Sequence, residues 1–312
     1  MTIADHLTEL MGQPVKNYNP DEGLVNPADT AYRLTVADLD YDSEIKIFDR
    51  MAAFFEEPHV SEVTNLVIGL WDWEGFEVDS RPIVEALVAA QDQLPHLQAL
   101  FLGDIVGEEC EISWIQQTDI SPLFLAYPQL RYLGVRGGEG LRLGIPTHEH
   151  LQTLVIESGG LSAAVVRDIS AAQLPNLEHL ELWLGEDNYG GDTTVEDLSI
   201  LLAGERFPQL RYLGLRDSQI ADEIAIALAT APVLNQLSTL DLSLGTLTDR
   251  GAEALLASPD LPTLDRLDLH HHYLSEAMMA RLQALPLTVN VADRQEADEY
   301  DGETWRYIAV SE

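Results

Sequence analysis

One spacing constrains this chain more than anything else in it: Leu-x-x-Leu-x-Leu, with Val or Ile admitted, returns eight times. The triplets are Val63-Leu66-Ile68, Leu97-Leu100-Leu102, Leu130-Leu133-Val135, Leu151-Leu154-Ile156, Leu177-Leu180-Leu182, Leu210-Leu213-Leu215, Leu237-Leu240-Leu242 and Leu264-Leu267-Leu269. Their starting positions step by 34, 33, 21, 26, 33, 27 and 27 residues. The last two steps are regular, and the long ones carry insertions. Self-similarity at a period of roughly 20–50 residues marks a chain that stacks one small unit many times and cannot bury its apolar face in any single copy.

Five of the eight triplets have a proline two residues ahead of the first Leu: Pro95, Pro128, Pro175, Pro208 and Pro262. Proline cannot continue a helix and biases the residue before it toward extended geometry, so it marks the switch from helix to strand. Between triplets lie segments such as Arg81 to Val88 and Asp249 to Leu256, with apolar residues three and four apart. That spacing puts one helical face toward the strand layer. Strand period alternating with helix period predicts an α/β solenoid, a horseshoe of about eight strand-turn-helix repeats with a parallel concave sheet of about ten strands and outer helices. Tyr32 to Val36 alternates as a strand, and Glu44 to Phe55 has the spacing of a helix. Leu287 to Val291 is a last strand, Asp293 to Glu303 an acidic loop, and Trp305 to Val310 one more strand, with Trp305 and Tyr307 packed on the last repeat. The organisation expected is a cap over residues 1–60, leucine-rich repeats over 61–292 and a closing tail over 293–312.

Charge narrows the partner class. Seventeen Lys plus Arg against 53 Asp plus Glu leave a formal net charge of −36, which opposes a phosphate backbone or an anionic membrane. Nucleic acid and membrane are therefore not expected as partners; a basic protein or peptide, simple solubility or a salty habitat all fit. One cysteine, Cys110, rules out an intrachain disulfide, and no apolar run approaches the roughly 20 residues of a membrane span. The first residues lack the basic and apolar regions of a signal peptide, so a cytoplasmic location is expected.

The segment Leu247-Thr248-Asp249-Arg250-Gly251-Ala252-Glu253-Ala254-Leu255-Leu256 resembles the ribonuclease-inhibitor class of leucine-rich repeats. More closely, Gly107 to Gln117, His270-His271-His272 and Trp305 to Val310 are similar to a bacterial family of cytoplasmic leucine-rich-repeat proteins. The likeness spans nearly the whole chain and implies the fold, but brings no activity with it. One departure is plain. The slot eight residues after the first Leu, usually Asn, holds Trp71, Ile105, Gly138, Gly159, Gly185, Ser218, Gly245 and His272. With no Asn ladder, the turns must satisfy their backbone groups otherwise.

Side chains alternate along a strand, so the second, fourth and sixth residues after the first Leu face out of the concave sheet. Those columns put Tyr132, Arg136, His179, Glu181, Trp183, Tyr212, Arg216, Asp241, Asp268 and His270 on one surface, and these ten are the candidate partner-binding residues. Tyr, Trp and Arg are the residue types enriched at binding hot spots. The segments Pro128 to Arg136 and Pro208 to Arg216 are near-identical twins, each presenting Tyr, Gly and Arg, with the glycine expected to leave a gap for a partner's side chain. The bland alternative is that each Arg pairs with a neighbouring acid, Glu157 beside Arg136 and Glu181 or Asp241 near Arg216.

Other motifs carry less. The three consecutive histidines, with Asp241 and Asp268 nearby, have metal-ligating side chains, but adjacent residues point to opposite sides of a strand, and a polar strand end is expected. Acidic neighbours Glu108, Glu109 and Glu111 disfavour a thiolate at Cys110, which reads as structural. Glu186 to Asp192 misses the calcium-loop spacing, and the insertion Asp104 to Gln117 is a candidate functional loop. No nucleophile elbow, phosphate-binding glycine loop or zinc-protease motif is present. The sequence therefore supports a non-catalytic, protein- or peptide-binding scaffold without cofactor or metal. The alternative is an enzyme or metal-binding accessory with its site in the acidic loops at the C-terminal edge of the strands.

Overall fold

The computed structural model describes residues 3–39, 43–73, 78–300 and 302–312. A twelve-stranded open sheet runs through the chain in strict sequence order. Its strands are β1 (Glu9–Leu10), β2 (Gln13–Asn17), β3 (Ala31–Leu34), β4 (Asn65–Ile68), β5 (Ala99–Leu102), β6 (Tyr132–Arg136), β7 (Thr153–Glu157), β8 (His179–Gly185), β9 (Tyr212–Ser218), β10 (Thr239–Asp241), β11 (Arg266–Asp268) and β12 (Thr288–Asn290). From β2 onward every pairing is parallel, while β1 pairs antiparallel with β2. The chain is an α/β leucine-rich-repeat solenoid, as its spacing predicts. The sheet exceeds ten strands because β1 and β2 extend it ahead of β3, where the sequence carries no repeat signal.

Register follows the leucines. Leu66, Leu100, Leu133, Leu154, Leu180, Leu213, Leu240 and Leu267 lie side by side on successive strands, each fully buried. Burying such a side chain is worth about 1.5–3 kcal/mol, so a slip of one residue, turning the whole column outward, is excluded. Against this column pack α1 (Ile47–Phe55), α2 (Arg81–Ala89), α3 (Ser121–Ala126), α4 (Ala163–Ala171), α5 (Ser199–Leu202), α6 (Ala221–Leu228), α7 (Asp249–Leu256) and α8 (Glu276–Gln283). Three of these helices start at a side-chain cap. Ser162, Thr248 and Ser275 each accept a backbone N–H of the first turn of α4, α7 and α8. Among the described residues no helix is long and apolar enough to cross a membrane.

Not every repeat is strand-turn-helix. The shortest step, between β6 and β7, holds no helix; its chain runs extended and makes isolated parallel bridges, Asp119 to Arg142 and Thr147 to Gln173. A 21-residue unit has too little chain for both a return loop and a helix. The turns without an Asn ladder are held by other side chains. His272 faces Val291 O through Nε2 at 3.1 Å and accepts Leu274 N–H, Gln117 donates to Arg136 O at 2.8 Å, and Asp222 accepts the N–H groups of Thr248 and Gly251.

Both chain ends turn back over the sheet. Leu7 and Leu10 pack on Val67, Ala99 and Phe101, so the N-terminal segment covers the concave face of the first repeats. At the other end, β13 (Asp298–Tyr300) and β14 (Glu303–Trp305) form an antiparallel hairpin; β13 lies inside the span expected to be an acidic loop, of which Asp301 lies outside the described residues, and β14 begins at its last residue. Residues 306–310 are not a strand. Trp305 and Tyr307 are 48% and 53% exposed, against the expectation that they pack on the last repeat. The aliphatic Ile308, Ala309 and Val310 are the buried part of this segment, Ala309 and Val310 clustering with Ile112 and Trp183.

Candidate functional site

The ten candidate residues lie on the concave side, but the face they form is not uniformly open. Tyr132, His179, Tyr212, Arg216 and His270 are partly exposed, whereas Arg136, Glu181, Trp183, Asp241 and Asp268 are buried. The expectation that all ten project into solvent is corrected by two physical causes: long polar side chains lie down on one another across the strands, and the chain ends cover the flanks.

On β6 the cation belongs to a buried network. Arg136, 3% exposed, donates from Nε to Glu157 at 2.6 Å and from NH1 to Ile105 O at 2.8 Å, and stacks over the Phe101 ring at 5.5 Å. Its NH1 also lies 3.5 Å from Asp104, which receives the Arg33 guanidinium at 2.6 and 2.7 Å and the Leu7 N–H at 3.2 Å. The bland alternative therefore holds for Arg136, although the pairs are buried and not surface pairs.

The same alternative holds for Arg216 on β9, which pairs with both Glu181 and Asp241 but stays partly exposed. Arg216 donates from NH1 to Glu181 at 2.6 Å and from Nε to Ser243 Oγ at 2.9 Å, lies 3.4 Å from Asp241, and stacks over Trp183 at 5.2 Å. The Tyr212 hydroxyl sits 2.8 Å from Asp241 and 3.2 Å from Glu181, and its ring lies flat against His179, centroids 3.8 Å apart and 6° from parallel. Burial would raise the Glu181 carboxyl, but His179, the Arg216 charge and the Trp183 N–H hold it down to about 2. Burial and the two carboxylates raise the Tyr212 hydroxyl, which stays protonated. One strand further, Asp268 accepts from Arg266 at 2.7 Å and from Asn290 at 2.9 Å, and its Oδ1 faces His270 Nδ1 at 2.7 Å.

The glycine gaps are filled. A Cβ at Gly134 would stand 2.3 Å from the Phe101 ring, and one at Gly214 would meet Tyr212 at 3.1 Å and Glu181 at 3.2 Å. The Phe101 and Tyr212 rings and the Glu181 side chain have already used the space expected for a partner's side chain.

The remaining motifs resolve into structural roles. The three histidines diverge, His270 to Asp268, His271 to Tyr307 O and His272 to Val291 O. Asp192 accepts the Ala163 N–H at the start of α4. Among the described residues no group of three or more His, Cys, Asp and Glu is arranged to hold a metal ion. Burial and the charges of Glu111 and Glu109 push the Cys110 thiol up to about 11. The insertion Asp104 to Gln117 supplies the carboxylate of the Arg33–Arg136 network and the apolar anchor Ile112. At the C-terminal edge, a groove of about 470 Å³ lies between Asp187, the first turns of α6 and α7 with Glu223 and Arg250, and the segment Trp305 to Ile308.

Sequence reasoning over three columns missed Asp104 and Asp217. Both occupy the seventh position after the first Leu, where the other repeats have Leu70, Gly137, Ser158, Leu184, Leu244 and His271. That position is in the inward phase of the strand, so a carboxylate there is buried and needs partners. This was the available signal.

A parallel leucine-rich-repeat solenoid, its concave face part open and part covered by its own termini, is the class this geometry defines. At 33% identity and a TM-score of 0.79, the chain belongs to the same family as a Bacteroides fragilis protein solved as a structural-genomics target, the match covering 89% of this chain and 76% of that one. An internalin from Listeria monocytogenes aligns at 14% identity over 77% of this chain and 82% of its own, with a TM-score of 0.29, too loose an overlap to bear on either fold or function. No family model matches the chain, and no curated protein matches it.

Proposed function

We propose that this chain is a non-catalytic scaffold that binds a protein or peptide with basic character on the open part of its concave sheet, from β7 to β12. The observation that carries this reading is the stacked His179–Tyr212 pair. It is partly exposed, flat, and held from below by Glu181 and Asp241, so its rings present area without rotamer freedom to lose on binding. Around it His270, Arg216 and the exposed Arg266 complete the surface, with the carboxylates of Glu181, Asp241 and Asp268 beneath. Tyr132 and Arg136 leave the proposed set, since Tyr132 packs in one cluster with Leu7 and Leu10 of the N-terminal segment and Arg136 is buried against Asp104, Ile105 and Glu157. The charge of −36 would speed encounter with a cationic partner and make association fall with added salt.

The test begins with affinity capture from the native cell at low ionic strength, followed by titration of the captured partner. Tyr212→Ala and His179→Ala should each weaken binding by at least tenfold, and the association rate should fall steeply between 50 and 300 mM salt (about a 2.4-fold change in screening length). If both variants bind as the parent chain does, the concave face is not the site.

A further inference from the structure

The C-terminal segment occupies a channel built like a peptide-binding site. It runs back from the last repeat along the C-terminal ends of the strands, and most of its polar contacts go through its main chain. Tyr307 O is met by His271 Nε2 at 3.2 Å and by the Tyr273 hydroxyl at 3.0 Å, and that hydroxyl also takes the Tyr307 N–H at 2.8 Å. Ala309 N–H donates to Leu244 O at 2.8 Å, and Val310 N–H to Asp217 Oδ1 at 2.9 Å. Ser311 O crosses so close to Gly159 that a Cβ there would be 2.4 Å away, and the Glu312 carboxylate receives the Tyr189 hydroxyl. The side chains of Ala309 and Val310 share an apolar seat with Ile112 and Trp183.

The floor of the channel is in a costly state. Asp217, Leu244 and His271 fill the same slot of three successive repeats, 27 residues apart, and all have positive φ: +48°, +67° and +57°. Non-glycine residues in that region cost on the order of 1 kcal/mol or more each, and such strain gathers at ligand clamps. Asp217 is fully buried, and its Oδ2 has no hydrogen-bond partner. A stable end-cap has no need of an unpartnered carboxylate oxygen beneath it.

We propose that this rim channel, which adjoins the concave face at Trp183, is a second binding site that the chain's own residues 307–312 occupy as an exchangeable resident. Its intended occupant is an extended partner segment carrying two small or branched aliphatic residues with free backbone N–H groups. Because the channel reads main chain and two aliphatic seats, it accepts other sequences of that chemistry. The tail, tethered at millimolar effective concentration, sets the affinity a partner must exceed. This inference does not depend on the reading of the concave face.

The test uses the full chain and a fluorescein-labelled synthetic peptide of Trp305 to Glu312. Ala309→Asp, which puts a charge into the apolar seat, should release the tail from an otherwise folded chain, checked by native-like protection of the Leu213 and Leu240 amides. The labelled peptide should then bind the Ala309→Asp chain saturably and at least tenfold more tightly than it binds the parent chain. Peptides with Pro at the Ala309 or Val310 position, lacking the N–H, should lose at least tenfold, while Trp305→Ala and Arg306→Ala peptides should bind unchanged. In the parent chain, the Ala309 and Val310 amides should exchange at least a hundredfold faster than those of Leu213 and Leu240. Equal affinity for both chains, or no saturable binding to the folded variant, overturns the proposal. So does collapse of the Ala309→Asp fold together with core-level protection of the Ala309 amide in the parent chain, which makes the segment an integral cap. A parent chain that sediments as a tail-exchanged dimer overturns the choice of a partner segment as occupant.

Discussion

Asp104→Asn tests the reading of the covered half of the concave face, because it removes one charge and almost no volume. Asp104 is fully buried and sits between two guanidiniums that are themselves almost inaccessible. Arg33 holds it at 2.6 and 2.7 Å, so the main loss falls there. Arg136 is 3.5 Å away and keeps Glu157 at 2.6 Å, so its share is small. Stripping one partner from a buried, hydrogen-bonded pair costs about 3–5 kcal/mol, mostly because the surviving charge is left without compensation. With Arg33 retaining Asn17 Oδ1 at 2.9 Å and Leu7 O at 2.5 Å, the lower end applies, about 3 kcal/mol. Urea unfolding should show that loss at an unchanged denaturant slope, and the Leu7 amide, which donates to Asp104, should exchange faster. Adding Arg33→Met should restore about half of the loss, since the uncompensated cation is then gone. A loss under about 1 kcal/mol, or no rescue by Arg33→Met, refutes the claim that this network is buried and coupled.

Three further outcomes follow from the same geometry. Gly134→Ala should destabilise by about 1–3 kcal/mol, because its Cβ would meet the Phe101 ring at 2.3 Å, while Gly214→Ala, whose new contacts are 3.1 and 3.2 Å, should cost less than half of that in parallel melts. Glu181 has its carboxyl held down to about 2, so the stability it contributes is present above the ordinary carboxylate value and lost as pH falls through about 2. The stability gap between the parent chain and Glu181→Gln should therefore shrink between pH 5 and pH 2, and a gap constant over that range would contradict the assignment. Cys110, with its thiol pushed up to about 11, should react with iodoacetamide at pH 8 on the order of a hundredfold more slowly than in the urea-unfolded chain, read by mass spectrometry.

Much of the candidate site could be placed from sequence, and less of it could be evaluated. The columns put His179, Tyr212, Arg216 and His270 on one face correctly, because alternation along a strand is local. That Arg136 and Arg216 differ in accessibility, although their segments are near-identical, depends on what lies beside them. Phe101 and Asp104 flank Arg136, whereas Trp183 and Asp241 flank Arg216. The filled gap at Gly134 was within reach, since Phe101 is its direct partner in register.

By itself the sequence determined the solenoid, its strand order, its parallel pairing and its leucine register, because each follows from a repeat of short-range spacings reinforced eight times. Only the tertiary structure decided where the two chain ends lie. Residues Ile3 to Leu10 and Ile308 to Glu312 carry no repeat, and each closes a loop across much of the molecule, as Leu7 does with Asp104 and Val310 with Asp217, 97 and 93 residues apart. Such contacts are selected by the shape and charge of a surface that does not exist until the repeats have stacked, and no local pattern encodes them.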